Sequence, residues 1–363
     1  MITENEIKTE TDKWANPAGT DGFEFLEFAS HDTDALKKLF LQLGFTATSR
    51  DPQRGIIRFQ QGDINFLLNE RKGEFARQFE SLHGPCACSF GLRVKNTEQT
   101  MDHLYKQGAT IIQNPEKAGL PYPAIEGIGK SRLYLIDTYG ANGFAYENFE
   151  PLTNTNTKMS NQPILKSIDH ITHNVHRGRL NFWAKFYERL FNFREIRYFD
   201  ISGEYTGLFS RAMTAPCGKA RIPINESSDD NGQIAEYLKQ YNGEGIQHIA
   251  LATDDIYTTV ETLKKNNLPF MTAPPETYYD MLEERLPGHK ENIKRMQSNG
   301  ILMDGSDNKH LLLQIFTETV IGPIFFEIIQ RKGDDGFGEG NFTALFESME
   351  RDQIRRGVLQ VAE

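Results

Sequence analysis

Two histidines and one glutamate stand at nearly equal intervals in the C-terminal half of this chain. His170, His248 and Glu327 are separated by 78 and then 79 residues, and each lies in an apolar run typical of a β-strand. Equal spacing predicts one ligand from each repeated unit. Two neutral imidazoles and one carboxylate are the donor set that binds Fe(II) on one face and leaves the opposite positions open. The pattern indicates a non-haem iron oxygenase.

Strand alternation decides which neighbouring side chains can reach one pocket. In SIDHITHNV, His170 and Thr172 lie on one face and His173 on the other. His248, in GIQHIAL, holds the equivalent place in a second strand of the same kind. Glu327 lies in the apolar run GPIFFEIIQR, where an ionised carboxylate needs a counter-charge or a metal. A single strand histidine is more often a core residue, so the agreement among all three is what favours a metal site.

Four segments that resemble one another predict an internal repeat. They begin at Phe23, Cys86, Ser167 and Gly245 and read FEFLEFAS, CACSFGLRVKN, SIDHITHNV and GIQHIALATDD. Each is a strand with a helical pattern after it and further strands beyond. The unit is therefore βα followed by a few β, used four times. The predicted fold class is α+β, with four βαβββ-type modules paired into two half-barrel domains.

The repeat divides the chain into five predicted segments. Residues 1–19 form a polar N-terminal tail, 20–150 an N-terminal domain without metal, and 164–332 the catalytic domain. Residues 151–163, rich in Asn, Thr and Pro, form the linker. Residues 333–363 contain four closely spaced glycines and then a helical stripe, which predicts a hinge and a C-terminal lid helix.

The N-terminal half supplies an internal control for the metal prediction. Phe25 and Ser89 stand in its repeats where His170 and His248 stand in the C-terminal half. The scaffold is thus kept in both halves, but the ligands in only one. We expect one functional metal ion per chain.

Composition limits the classes of partner. The chain has 363 residues, a net charge of −10 and a pI near 5.5, which argue against nucleic acid as a partner. No apolar run approaches the roughly 20 residues that span a bilayer. The first residues show neither a basic nor an apolar region of a signal peptide, so we expect a cytoplasmic protein. Three cysteines are too few for a disulfide framework.

Several longer motifs resemble those of the bacterial 4-hydroxyphenylpyruvate dioxygenase family, within the vicinal-oxygen-chelate proteins. They are DHITHNV, RIPINE, GIQHIAL, LLLQIFTE and FFEIIQRKGDDGFGEGNF, and the resemblance extends over nearly the whole chain. It implies two vicinal-oxygen-chelate domains with one Fe(II) per chain, commonly assembled as a dimer or tetramer. The implied reaction, in tyrosine and phenylalanine catabolism, converts 4-hydroxyphenylpyruvate and O2 to homogentisate and CO2. It combines oxidative decarboxylation, ring hydroxylation and side-chain migration. The oxo acid lies within the substrate, so no 2-oxoglutarate is needed.

The resemblance also implies roles for single residues. The iron ligands are His170, His248 and Glu327. The polar residues expected to act on the substrate are Ser210, Asn225, Gln233 and Gln314. Further substrate contacts are Gln247, Pro223, Phe316, Phe325, Phe337 and Phe342. Alternation directs Gln247 away from His248, so the residues alone do not favour it as a direct contact.

Three alternative functions share parts of this pattern. A 4-hydroxymandelate synthase has the same ligands but oxidises the benzylic carbon, whereas Pro223, Asn225 and Phe337 resemble the homogentisate-forming branch. An extradiol ring-cleaving dioxygenase shares the donor set and repeat, but its resemblance does not extend to the glutamine-rich pocket and the glycine-hinged tail. A metal-free small-molecule-binding protein on the same scaffold would not need the three ligands.

Overall fold

The computed structural model describes residues 12–70, 75–117, 119–152, 163–202, 206–338, 340–341, 354 and 357. Two eight-stranded mixed sheets, one in each half of the chain, curl into half-barrels. None of the helices in these ranges is long and apolar enough to cross a membrane.

The N-terminal sheet has the strand order β6-β7-β5-β1-β4-β3-β2-β8. Its strands are β1 Thr20–Ala29, β2 Thr46–Asp51, β3 Ile56–Gln61, β4 Ile64–Asn69, β5 Cys86–Val94, β6 Ala124–Glu126, β7 Arg132–Ile136 and β8 Glu150–Pro151. The helices of this half are α1 Thr33–Gln42, α2 Phe75–His83 and α3 Thr97–Lys106, with 3-10 turns at Pro115–Lys117, Ile128–Lys130 and Gly140–Asn142.

The C-terminal sheet has the order β10-β11-β12-β9-β13-β16-β15-β14. Its strands are β9 Ser167–Val175, β10 Arg194–Ser202, β11 Gly207–Thr214, β12 Arg221–Ser227, β13 Gly245–Ala252, β14 Leu302–Gly305, β15 Leu311–Phe316 and β16 Phe325–Lys332. The helices are α4 Leu180–Phe191, α5 Gln233–Tyr241, α6 Ile256–Lys265, α7 Glu276–Asp280, α8 Leu282–Arg285 and α9 Ile293–Asn299.

The four predicted repeats appear as modules of one strand, one or more helices and further strands. The first and third modules begin with β1 and β9, and in each one helix is followed by three strands. The fourth begins with β13 and has four helices, α6 to α9, before its three further strands. The second, which begins with β5, has β6, β7 and the short β8 after its helix, and β8 pairs with β2 of the first module. It also has an isolated bridge between Ile111 and Ile125. The predicted α+β fold class is therefore confirmed. Residues 153–162 of the predicted linker and the stripe of the predicted lid helix lie outside the described residues.

The helices form because local signals and tertiary packing agree. In α1 the Asp32 side chain accepts a hydrogen bond from the Ala35 amide at 2.9 Å, which caps the first turn. The apolar stripe of Leu36, Leu39 and Phe40 is buried against the sheet. The largest cluster of buried apolar residues includes residues of both halves.

Contacts between aromatic rings and polar side chains join the two halves. The ring of Phe66 in β4 stacks on that of Phe326 in β16, with centroids 5.8 Å apart. The indole of Trp14 donates to the Asn192 carbonyl at 2.7 Å, so residues ahead of β1 pack on the C-terminal half. This shared core fixes β16, and with it one of the candidate ligands.

Candidate metal centre

Three adjacent strands, β9, β13 and β16, carry the three candidate ligands. His170 lies across from Ala250, and Ala250 lies across from Glu327. His170, Ala250 and Glu327 therefore form one row of the sheet. His248, two residues from Ala250 on the same strand face, lies across from Thr172. The register therefore directs both imidazoles and the carboxylate to the concave side.

The candidate ligand atoms of His170, His248 and Glu327 lie within 3.4 Å of one another. The Nε2 atoms of His170 and His248 are 3.3 Å apart. One carboxylate oxygen of Glu327 lies 3.1 Å from the first and 3.4 Å from the second. Within the described ranges, this is the one group of three or more His, Cys, Asp or Glu side chains whose ligand atoms all lie within 4.8 Å of one another.

The other nitrogen of each imidazole is hydrogen-bonded to an oxygen. Nδ1 of His170 lies 2.9 Å from Oδ1 of Asp169, and Nδ1 of His248 lies 2.9 Å from Oε1 of Gln247. Because both partners are acceptors, both Nδ1 atoms carry the hydrogen and each Nε2 presents a lone pair. Two lone pairs and a carboxylate then face one another in a buried space. A bound cation satisfies this arrangement, so the residues fit a metal ion.

The charge states agree with metal binding. Burial alone would raise the pKa of Glu327, but the imidazoles of His170 and His248 outweigh it and lower that pKa to about 2. Burial lowers the pKa of His248, which favours the neutral imidazole. For His170 the effect of burial is outweighed by Glu327 and Asp169, which raise its pKa, so a proton competes with a metal ion for Nε2.

A cavity opens beside the three ligands. One side of it is formed by the chain after β16. The cavity is lined by His170, Thr172, Pro223, Asn225, His248, Gln314, Phe316, Glu327, Phe337, Gly338 and Asn341.

The amide of Gln314 joins a ligand to the chain after β16. Its Nε2 donates to Glu327 at 2.8 Å and to the Phe337 carbonyl at 3.3 Å, and its Oε1 accepts from Asn341 at 3.0 Å. Gly338 has a φ of +77°, and a Cβ there would lie 2.2 Å from Oε1 of Gln314. This glycine is thus required for close packing on the centre, beyond the hinge role that its position predicted.

Comparisons with known proteins agree with this geometry. A family model described as the N-terminal part of hydroxyphenylpyruvate dioxygenase matches residues 14–150. The glyoxalase, bleomycin resistance protein and dioxygenase superfamily model matches residues 167–289. A 4-hydroxyphenylpyruvate dioxygenase from Pseudomonas aeruginosa is 52% identical over 95% of this chain and 97% of its own. The chain belongs to the 4-hydroxyphenylpyruvate dioxygenase family.

Two further comparisons give one relative of equal sequence identity and one more distant structural match. A protein named hemolysin VllY from Vibrio vulnificus is also 52% identical, over 96% of this chain and 99% of its own. A solved triple mutant of 4-hydroxymandelate synthase from Streptomyces coelicolor has a TM-score of 0.78 at 23% identity, covering 92% of this chain and 99% of that one. The second relative shows a shared fold only.

The polar residues implied by the family resemblance lie at different distances from the cavity. Asn225 and Gln314 line it, and Ser210 is buried directly across from Asn225 in the sheet. Ser210 Oγ and Asn225 Oδ1 have no hydrogen-bond partner among the described residues. Gln233, at the start of α5, is half-buried and is not part of the lining. Gln247 is also outside the lining and is bonded to His248 instead.

The aromatic residues implied by the resemblance surround the two imidazoles. Phe325 stacks on His248 with ring centroids 4.9 Å apart, and Phe316 meets Phe325 edge-on at 6.1 Å. The ring of Phe337 lies 5.5 Å from that of His170. Pro223 completes the wall. Phe342 lies outside the described residues.

Two further cavity residues make contacts at the centre that the sequence did not predict. Thr172 Oγ lies 2.9 Å from Nε2 of His248, and alternation had placed it on the ligand face without giving it a role. The Asn341 side chain donates to Gln314 and accepts a 2.7 Å hydrogen bond from the Tyr278 hydroxyl.

The N-terminal half repeats the same register with different side chains. Phe25 lies across from Gly91, and Gly91 across from Tyr134, in the row that corresponds to the ligand row. Ser89 lies across from Glu27 and donates to its carboxylate at 2.5 Å. The register therefore places Phe25 and Ser89 at the positions equivalent to His170 and His248.

Proposed function

We propose that this chain is an Fe(II)-dependent dioxygenase that converts 4-hydroxyphenylpyruvate and O2 to homogentisate and CO2. The ligands are His170, His248 and Glu327. The convergence of two lone-pair nitrogens and one buried carboxylate, in a member of this family, carries the proposal. Bound there, Fe(II) would supply the chemistry for chelating a 2-oxo acid and for reducing O2.

The residues next to the ligands keep the imidazoles ready to bind the metal. Asp169 and Gln247 accept the Nδ1 hydrogens, which fixes both tautomers and both ring orientations. Gln314 donates to the Glu327 oxygen that does not face the imidazoles. Each ligand therefore enters the site with one donor atom aimed at the metal and its other polar atom already hydrogen-bonded.

The cavity wall suits a phenol ring. Phe316 and Phe337 supply apolar ring surfaces, and Pro223 closes the same wall. The Asn225 amide oxygen and the Ser210 hydroxyl are buried without partners among the described residues, so they can pair with a substrate hydroxyl. We assign the phenol end of the substrate to this side and its 2-oxo acid end to the metal.

The substrate supplies its own oxo acid. Two of the electrons that reduce O2 come from oxidative decarboxylation of that group, and the others come from the ring. One O2 is therefore consumed for each CO2 released, and no second oxo acid is required. The segment that carries Phe337 and Asn341 covers the cavity and excludes water from the oxidation.

The deciding experiment is product identification. Purified protein is loaded with Fe(II), incubated aerobically with 4-hydroxyphenylpyruvate, and the products are separated by liquid chromatography and mass spectrometry. We expect homogentisate and CO2 in equal amounts without added 2-oxoglutarate. His248→Ala serves as the matched control, because it removes one ligand from a strand whose neighbours stay intact.

The alternatives give different products in the same experiment. Accumulation of 4-hydroxymandelate would identify the benzylic oxidation instead. A protein that binds 4-hydroxyphenylpyruvate but takes up no Fe(II) would be a metal-free binding protein. Either result would overturn the proposed function.

A further inference from the structure

Asp169 is a buried carboxylate with partners on three sides. Its Oδ1 accepts the Nδ1 hydrogen of His170 at 2.9 Å. Arg331, at the end of β16, donates to both oxygens, with Nε at 2.7 Å and Nη2 at 2.8 Å. Arg221 adds a longer ion pair at 3.5 Å. The Asp169 side chain is 5% exposed, so these contacts replace water almost completely.

Arg331 has a further nitrogen that binds the chain after β16. Its Nη1 donates to the Asp334 carbonyl at 3.1 Å and to the Gly336 carbonyl at 2.5 Å. Arg221 makes a parallel link, because its Nη2 lies 3.4 Å from the Asp335 carboxylate. Two arginines therefore bridge one carboxylate to the same short segment, residues 334–337.

That segment returns to the metal centre. Phe337 follows Gly336 directly, and its ring packs edge-on against the ring of His170 at 5.5 Å. The His170 imidazole is thus held from two directions, by Asp169 at Nδ1 and by Phe337 at its face. Both contacts depend on the same guanidinium.

The chemistry of this bridge requires arginine. A guanidinium presents donors in a fixed planar fork, so it can bind a carboxylate with two nitrogens and still direct a third outward. A lysine ammonium would keep the charge but could not hold the carboxylate and both carbonyls in this geometry. Burial would raise the pKa of Asp169, and Arg331 outweighs burial and lowers it well below its usual value. The carboxylate therefore stays ionised.

We propose that Arg331 is a positioning residue that couples the seating of residues 334–337 to the orientation of the His170 imidazole through Asp169. The inference rests on the metal centre of the proposed function but not on the substrate. Coupling of this kind is reciprocal. A bound metal ion stabilises the position of residues 334–337, and that position in turn increases the affinity for the metal ion.

The test uses the full chain and cobalt(II), with no turnover. Apoprotein is titrated with Co(II), and the dissociation constant is measured by competition with a chelator. Hydrogen exchange of the 334–341 peptide is then followed by mass spectrometry, with and without saturating Co(II). The amides of Gly336 and Gly340 are useful reporters, since each donates at 2.6 Å to an aspartate, Asp334 and Asp304 respectively.

In the wild type we expect Co(II) to slow exchange in this peptide. Arg331→Met should weaken Co(II) binding roughly 10- to 100-fold, the usual range for loss of a group that orients a ligand. It should also abolish the protective effect of saturating Co(II). Arg331→Lys keeps the charge beside Asp169 and replaces the methionine variant if that one does not fold. It too should lose the protection.

A matched control exists in the N-terminal half. Arg93 is about as buried as Arg331, with 17% and 15% side-chain exposure, and also joins a buried acid, Glu24, through its Nε at 2.6 Å. Arg93→Met should leave both the Co(II) affinity and the protection unchanged.

Two outcomes would overturn the coupling. One is unchanged Co(II) affinity together with wild-type protection by saturating Co(II) in both Arg331 variants. The other is weaker Co(II) binding with the protection intact, which would mean that Arg331 only neutralises Asp169. Product analysis is separate from these measurements. Coupling without homogentisate would overturn the proposed substrate alone, and homogentisate without coupling would overturn this inference alone.

Discussion

The side-chain oxygen of Gln247 lies 2.9 Å from Nδ1 of His248, although the two residues are consecutive in β13. The same relationship holds in β9, where Asp169 contacts Nδ1 of His170 at 2.9 Å. In both ligand strands the residue before the histidine orients it. One of these acceptors is charged and the other is neutral, so the two imidazoles are held by similar geometry but different electrostatics.

This contact predicts that Gln247 affects metal binding, by orienting His248, rather than substrate binding. Gln247→Leu removes the acceptor and should weaken Fe(II) or Co(II) binding roughly 10- to 100-fold. Gln247→Glu keeps an oxygen at the same reach and should largely restore binding. Metal titration of the apoproteins measures the effect. Gln233→Leu is the matched glutamine control, because Gln233 is not in contact with a ligand, and its metal affinity should be that of the wild type.

A substrate role for Gln247 would give a different result. In that case Gln247→Leu would raise the KM for 4-hydroxyphenylpyruvate at saturating metal and leave metal affinity unchanged. The two measurements thus separate the orienting role from direct substrate contact.

The convergence of His170, His248 and Glu327 could be predicted from the sequence, but the contact of Gln247 with His248 could not. His170 and His248 follow from a repeat whose strands alternate with period two, and alternation is fixed by backbone geometry. The same rule directs Gln247 away from His248. A glutamine side chain has enough rotatable bonds to bend back along its strand, and whether it does so depends on tertiary packing around it. No local pattern encodes that choice.

Removing one ligand should abolish the centre without unfolding the chain. His248→Ala is expected to eliminate tight Fe(II) binding and turnover, while the circular dichroism spectrum and thermal transition stay close to wild type. Ser89→Ala, at the equivalent position of the N-terminal half, should retain one iron per chain. Metal analysis of both purified variants checks this. Two irons per wild-type chain, or an active His248→Ala protein, would contradict the prediction.

The chain beyond Gly340 should protect the oxidation rather than bind the metal. A protein that ends at Gly340 keeps all three ligands together with Arg331 and Phe337. We expect near-normal iron binding but more O2 consumed per homogentisate formed, because water reaches the oxidant before the ring does. Parallel oxygen-electrode and product measurements give this ratio. A truncated protein with wild-type coupling would show that the predicted lid has no role in catalysis.

A buried histidine outside the centre should make the fold sensitive to acid. His173 is fully buried, with Nε2 2.7 Å from the Tyr187 hydroxyl, and burial lowers its pKa to about 3. An unfolded histidine takes up its proton near pH 6.5. Between about pH 6.5 and pH 3, therefore, the unfolded state binds a proton that the folded state excludes. The free energy of unfolding should fall by about 1.4 kcal/mol for each pH unit through this one group.

Urea unfolding at pH 7, 6 and 5 tests the acid sensitivity. The stability of the wild type should decrease more steeply with falling pH than that of His173→Gln, which has no proton to gain. Parallel pH profiles for the two proteins would assign the acid sensitivity to other groups.

The tail marks the limit of prediction from sequence. The glycines from Gly333 to Gly340 predicted a hinge, and their backbone freedom is real at Gly338, where φ is +77°. What the sequence could not indicate is that Gly338 also makes room for the Gln314 amide, or that Asn341 binds that amide. Both contacts join residues more than 20 positions apart, so no periodic pattern contains them.

The filled N-terminal half-barrel has a consequence for attempts to engineer a second centre. Histidines at positions 25 and 89 and a glutamate at 134 would restore the ligand types, but Glu27 stands where the other half has Thr172. A grafted site would carry two carboxylates, and carboxylate oxygens suit harder ions such as manganese or magnesium better than the first site does. The N-terminal half of the duplicated scaffold is therefore a starting point for different metal chemistry rather than for the same reaction.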